Sequence, residues 1–295
     1  MKIFITGATG FIGKHLVKKL INEGHLVTIN LRKGKKSPFG DNVGTYFIGV
    51  QNIEDDIQFF KRESFDGIIH LASLYITNHK PYDINNLIDS NVKFGTYVLE
   101  CAAQANIPWF INTGTFWQHY QNKVYSPVNL YAATKQAFED IARYYIETDQ
   151  IYFCTIKLSD TFGPNDTRPK IFNLWKRVAL TGETLDMSPG NQLIDILYID
   201  DVVSAYSKLA DKLQNDKHEI VNGSVFAASA QQRYSLKELS EIFESSTGFK
   251  LNINWGARPY REREVMIPWD QGKDIPGWKP TCSIREGLIR LNDTE

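Results

Sequence analysis

The sequence predicts an α/β chain: a doubly wound parallel sheet followed by a smaller, mixed α/β C-terminal lobe. Two observations carry that expectation. Up to about residue 160, short apolar runs of strand length alternate with segments of helical period, and the first strand runs straight into a glycine-rich turn. After Gly163-Pro164 the alternation loosens into prolines, aromatics and isolated helices.

The elements follow in order. Residues 2–6 read as a buried strand, and across 11–22 the apolar Ile12, Leu16 and Leu20 recur at helical spacing, closed by Gly24. Residues 26–31 and 67–72 are strands. A helix over 91–105 leads to a strand over 109–113, and a long helix over 129–148 leads to a strand over 152–158. An apolar stretch at 193–203 predicts a return to the first unit. The expected boundaries are 1–160 with a return near 193–222 for the sheet domain, and 161–192 with 223–295 for the lobe. There is no internal repeat or flexible linker.

Composition sets wide bounds. The 295 residues are 42% hydrophobic, and Lys+Arg 33 against Asp+Glu 34 leaves a net charge of -1, so no bulk charge draws the chain to nucleic acid or an anionic membrane. Apolar runs are too short to span a bilayer, and the glycine turn interrupts any secretory-type segment at the N-terminus. Cys101, Cys154 and Cys282 are widely spaced and read as reduced thiols of a cytoplasmic protein, with no metal-ligand spacing anywhere.

Gly7, Gly10 and Gly13 end a strand and open a helix. Gly7 permits the tight turn, Gly10 lets the backbone approach a pyrophosphate, and Gly13 lets the helix pack on the sheet, so the motif predicts dinucleotide binding. After the second strand, a carboxylate would suit the ribose of NAD. Here the segment runs Asn30, Leu31, Arg32, Lys33, Gly34, Lys35, Lys36, which suits a 2′-phosphate gripped by Arg32. NADP is therefore expected over NAD.

Tyr131 and Lys135 stand one helical turn apart on one face. A neighbouring ammonium lowers a phenol's pKa, which predicts Tyr131 as proton donor to a carbonyl, with the Thr113 hydroxyl at the end of the preceding strand on the same oxygen.

Taken together, Gly7-x-x-Gly10-x-x-Gly13, His70-Leu71-Ala72, Asn91, Thr113, Tyr131-x-x-x-Lys135 and Gly277-Trp278-Lys279-Pro280 resemble the extended short-chain dehydrogenase/reductases, in the epimerase/dehydratase branch that handles nucleotide sugars. The resemblance implies a Rossmann domain with a C-terminal substrate lobe, a catalytic trio of Thr113, Tyr131 and Lys135, and a homodimer built on an intersubunit helix bundle. It implies cofactor contacts at Phe11, Ile12, Leu71, Ala72 and Asn91 besides the glycines. The sugar dehydratases of this family carry Asp and Glu after the threonine. Gly114 and Thr115 stand there instead, and neither serves as a general acid or base for eliminating water.

Hydride transfer remains, either as NADPH-dependent 4-keto reduction or as NAD-dependent 4-epimerisation. The pattern Trp117-Gln118-His119-Tyr120 with Asn129 and Tyr131 resembles most the CDP-paratose and CDP-abequose synthase type of ketoreductase. A dTDP-sugar reductase and a non-catalytic NADP-sensing protein stay open. The substrate side departs from the family: Lys157-Leu158-Ser159-Asp160 replaces Arg-x-x-Asn, and Ile194 replaces a family arginine. Arg261 aligns with a family arginine and is expected at the diphosphate, with Arg168, Lys170 and Arg177 as further candidates. Thr115, Trp117, His119, Tyr120 and Asp160 are expected around the sugar. His70 reads as a strand-end residue.

Overall fold

The computed structural model describes residues 1–291. Its centre is a seven-stranded parallel sheet formed by β1 (Lys2–Thr6), β2 (Leu26–Asn30), β3 (Val43–Tyr46), β4 (Gly67–His70), β5 (Trp109–Thr115), β6 (Tyr152–Leu158) and, far along the chain, β10 (Val225–Ala228). The spatial order β10-β6-β5-β4-β1-β2-β3 reverses direction between β1 and β4. In such a sheet the ligand crevice opens at that switch point, beyond the carboxyl ends of the strands.

The strands are apolar on both faces because helices cover both. Ile3, Ile5, Trp109 and Ile111 face a core shared with α1 (Phe11–Asn22), while their alternates Phe4 and Phe110 face a second core with α2 (Ile53–Glu63), α4 (Phe94–Gln104) and α5 (Leu130–Glu147). Truncating a fully buried Phe110 to alanine costs about 3–5 kcal/mol. Short α3 (Ile84–Ile88) precedes α4, and between them Asp89–Lys93 forms a π-helical turn. The single helix expected over 91–105 is therefore broken at its start, and Asn91 sits in the widened turn.

Beyond β6, β7 (Asp160–Phe162) leads to α6 (Ile171–Thr181), β8 (Leu185–Met187) and β9 (Leu193–Tyr198). The apolar 193–203 stretch divides. Its strand β9 joins β7 and β11 (Arg233–Ser235) in a separate three-stranded sheet, and only α7 (Ile199–Asn215) returns, packing against α1. The return then runs past the expected limit of 222: β10 pairs with β6 from Val225 opposite Thr155 to Ala228 opposite Leu158, so four residues assigned to the lobe complete the large sheet. Helix α8 (Leu236–Thr247), β12 (Ile253–Trp255, paired with β8) and α9 (Ile284–Arg290) finish the lobe. Among the described residues, no helix is long and apolar enough to cross a membrane.

Candidate active site

The turn between β1 and α1 has the geometry of an anion cradle. Gly7 holds φ at +72°, and a Cβ on Gly13 would lie 2.3 Å from the Gly7 carbonyl oxygen and 2.6 Å from Ala8 Cα. Helix α1 starts at an N-cap glycine, Gly10, with no side-chain cap and no acidic residue in its first turn. Its first N–H groups and positive dipole end are thus left for a phosphate, and the cradle fits the pyrophosphate of a dinucleotide. The chain leaving β4 presses against this turn: Leu71 N–H donates to the Thr6 carbonyl and Ala72 N–H to Thr6 Oγ1, each at 3.2 Å. Arg32, Lys33, Lys35 and Lys36 are exposed beyond β2.

Asn91 is spent inside the protein. Its Nδ2 donates to the Leu74 carbonyl (3.0 Å) and Thr134 Oγ1 (2.9 Å), and its Oδ1 accepts from Leu74 N–H (2.7 Å) and Ser73 Oγ (3.1 Å). The expected cofactor contact is thus a clamp that ties the loop after β4 to α5. His70 is buried too. Its Nδ1 is hydrogen-bonded with Thr6 Oγ1 (2.9 Å), which also accepts the Ala72 N–H, and burial drives the imidazole down to about 3. It stays neutral.

Helix α5 is capped by Asn129, whose Oδ1 accepts from Ala132 N–H at 3.0 Å, and this sets Tyr131 in the first turn, one turn ahead of Lys135. The Tyr131 ring packs edge-on against Tyr75, with centroids 5.1 Å apart. Burial pushes the Tyr131 phenol up to about 12, with the Ser73 hydroxyl opposing, and drives the Lys135 ammonium down to about 8, with Glu139 opposing. The downward shift expected for Tyr131 is reversed, because loss of water outweighs the attraction of the nearby cations Lys170 and Arg168. From β5, Thr113 Oγ1 lies 2.8 Å from the buried Tyr206 phenol of α7, whereas Thr115 Oγ1, two residues on along the same face, accepts the backbone N–H groups of Trp117 (3.3 Å) and Gln118 as an N-cap and keeps its own proton to donate.

These groups line a cleft of about 650 Å³ between sheet and lobe. Ile12, Leu71, Thr113, Thr115, Tyr131 and Lys135 are among its lining residues, together with Asp160, Arg168, Lys170, Arg261 and Arg263. The cations are partly committed. Lys170 pairs with Asp160 at 2.7 Å, Arg168 forks onto Asp166 at 2.7 and 2.8 Å with its guanidinium 4.3 Å from the Phe11 ring centre, and Arg261 pairs with Glu264 at 3.1 Å. Asp160 thus reaches the cleft with its charge balanced.

Residues 3–223 match the NAD dependent epimerase/dehydratase family. The chain belongs to that family. CDP-abequose synthase from Salmonella muenchen is 30% identical over 293 residues, spanning 98% of this chain and 96% of the relative. In structure the family fold is equally plain. The UDP-glucose 4-epimerase of Thermotoga maritima, solved with UDP-glucose, superposes with TM-score 0.82 at 22% identity, covering 99% of this chain and 98% of that one. The UDP-glucuronic acid 4-epimerase of Bacillus cereus, solved with UDP-glucuronic acid and NAD, gives 0.82 at 21% identity and the same coverage.

Within this family site, the structure brings together Ile12, Leu71, Thr113, Thr115, Trp117, Tyr131, Lys135, Asp160 and Arg261 in the cleft wall. His119 is a correction. It lies 7% exposed, stacked on Trp269 at 4.1 Å, its Nε2 accepting from Lys157 Nζ (2.9 Å) and its Nδ1–H donating to the Lys123 carbonyl (3.0 Å). Burial and the Lys157 charge drive it down to about 4, so it faces a buried cluster and not a sugar. Tyr120 packs under the Arg263 guanidinium, 4.2 Å away, and Arg177 is exposed on α6. Sequence reasoning missed Tyr75, Tyr206 and Arg263. The only signal was the arginine-rich run Arg258, Arg261, Arg263, of which one member was singled out.

Proposed function

We propose that this chain reduces the C4 ketone of a nucleotide-linked 4-keto-deoxyhexose, CDP- or dTDP-linked, with NADPH, in the making of deoxysugars for surface polysaccharide. The observation that carries the reading is Tyr131 and Lys135 in the cleft wall beside Gly114, where a dehydratase needs an acid. A Cβ on Gly114 would lie 2.7 Å from Lys157 Cγ, 2.9 Å from Gln118 Oε1 and 3.0 Å from Glu139 Oε1, so that space is already filled. The full-length similarity to a CDP-abequose synthase points the same way.

The Gly7–Gly13 turn would hold the pyrophosphate, Arg32 the 2′-phosphate, and Lys135 the nicotinamide ribose. When bound, the nicotinamide supplies the hydride. Tyr131, protonated across the neutral range because burial raises its phenol, donates the proton as negative charge grows on the ketone oxygen. A hydroxyl of β5 steadies that oxygen. Since Thr113 is paired with Tyr206, we assign this part to Thr115, which moves the role expected of Thr113 one step along the strand. Arg261 and Arg263 would meet the diphosphate. Exposed Ile84, Ile88 and Tyr144 on α3 and α5 suit a self-association face for a homodimer, and the substrates and coenzyme suit the cytoplasm.

The test is incubation with NADPH or NADH and CDP- or dTDP-linked 4-keto sugars, following nicotinamide absorbance. NADPH-preferring loss of absorbance is expected. Interconversion of 4-hydroxy sugars without net cofactor oxidation would replace the reading with a 4-epimerase, as the NAD-bound structural neighbour invites. Tyr131→Phe should lower turnover by about 10²–10⁴-fold while leaving NADPH affinity nearly unchanged.

A further inference from the structure

Behind the cleft lies a buried charge cluster that the proposed chemistry does not use. Glu139 follows Lys135 by one turn of α5, as Lys135 follows Tyr131. Its Oε2 lies 3.2 Å from the Lys157 ammonium of β6, with the two side chains only 10% and 3% exposed. Its Oε1 accepts from Gln118 Nε2 at 3.0 Å, and Gln118 Oε1 accepts the Thr115 N–H at 2.9 Å. Lys157 donates onward to His119, which is stacked on Trp269. Lys157 is thus paired with this carboxylate, and Lys135, 1% exposed, lies one helical turn before it on the same face of α5. Burying a charge without a partner is costly, so a carboxylate one turn from a buried ammonium bears on whether that ammonium stays charged.

We propose that Glu139 is a positioning residue of the active site: one buried carboxylate, ion-paired with Lys157 and standing one turn of α5 beyond the buried Lys135, that keeps Lys135 charged. The groups facing this pair are few. His70 of β4 is neutral and held by Thr6, Tyr131 lies one turn before Lys135, His119 is neutral, and Asp140 acts on Lys157 from the exposed side of α5. Glu139 is the carboxylate that opposes the loss of the Lys135 proton, and Gly114 leaves the room its Oε1 needs. The kinetic arm of the idea rests on the reductase reading, but its physical core does not.

The experiment is an NMR titration of protein carrying 13Cε-labelled lysine, with the Lys135 signal identified by its loss in Lys135→Met. In Glu139→Gln, which keeps the side-chain shape, the Lys135 midpoint should fall by about one pH unit or more. Because Glu139→Gln strands the Lys157 charge, the double variant Glu139→Gln with Lys157→Met is measured beside it. Its melting temperature should recover toward wild type while the Lys135 midpoint stays low. An unchanged midpoint in either variant, or one that recovers together with the melting temperature, overturns the proposal. If turnover is present, the alkaline limb of kcat should move down with the midpoint. A shifted midpoint with no turnover on any 4-keto sugar supports the positioning role and rejects the reductase reading.

Discussion

Replacing Gly114 by alanine tests whether the space beside β5 is filled by a rigid cluster or by side chains free to withdraw. The new methyl would lie 2.7 Å from Lys157 Cγ, 2.9 Å from Gln118 Oε1 and 3.0 Å from Glu139 Oε1. Ordinary contacts need about 3.5–4.0 Å, so each neighbour must give way by roughly half an ångström to one ångström. None is a loose end. Lys157 is pinned by Glu139 and His119, and Gln118 by Thr115, Gln136 and Glu139. Overpacking of a well-ordered interior costs about 1–3 kcal/mol, and disruption of these bonds puts Gly114→Ala in the upper half of that range. The measurement is the urea midpoint at constant m-value, compared with wild type. A loss under about 0.5 kcal/mol would show that the cluster yields easily and that the missing acid of a dehydratase could have been accommodated. Gly114→Asp should be worse than Gly114→Ala, since it sets a second carboxylate beside Glu139, and it should bring no dehydration of a 4-hydroxy sugar.

Thr115→Val should lower turnover about 10²-fold, while Thr113→Val, which strands the buried Tyr206 hydroxyl, should lower the melting temperature more than turnover; parallel kinetics and thermal melts decide, and the opposite pattern returns the carbonyl contact to Thr113. Arg32→Ala should raise the KM for NADPH at least about tenfold and leave that for NADH alone, measured by steady-state kinetics with both coenzymes; an equal effect on both would make Arg32 a bystander. Lys135→Met should show a pH-dependent gain in stability. The folded-state pKa, about 8, lies below the ordinary lysine value, so the cost of burying the ammonium is fully present below pH 8 and is relieved as pH rises toward 10.5. Urea midpoints at pH 7 should therefore favour the variant by a margin that narrows above pH 8, and a margin independent of pH would refute the argument.

Much of the first domain could be read from local pattern. β1, the glycine turn and α1 are contiguous in sequence, and so are Tyr131 and Lys135 on α5, so spacing alone places them. The strand expected over 109–113 runs on to Thr115, because Gly114 and Thr115 pair with Lys157 and Leu158 of β6, a contact between distant segments that local pattern does not carry. His119 was misplaced for a different reason. Its partners Lys157 and Trp269 come from elements tens of residues and then 150 residues away, and nothing local says which way the ring turns. Tyr206, buried behind Thr113, and Arg263, in the cleft wall, likewise come from later parts of the chain. β10 carries four small or apolar residues with no period to distinguish them from a lobe segment, and only the open edge of β6 explains where they go.

That late strand has a consequence for how the molecule is made. During synthesis, β6 emerges some seventy residues before its outer neighbour, whose last position is Ala228. For that interval the nascent sheet presents a row of unanswered amides and carbonyls on an apolar strand, a surface that invites pairing with another chain. Truncated forms ending before Val225 should accordingly be sticky and short of solubility, however intact their coenzyme turn.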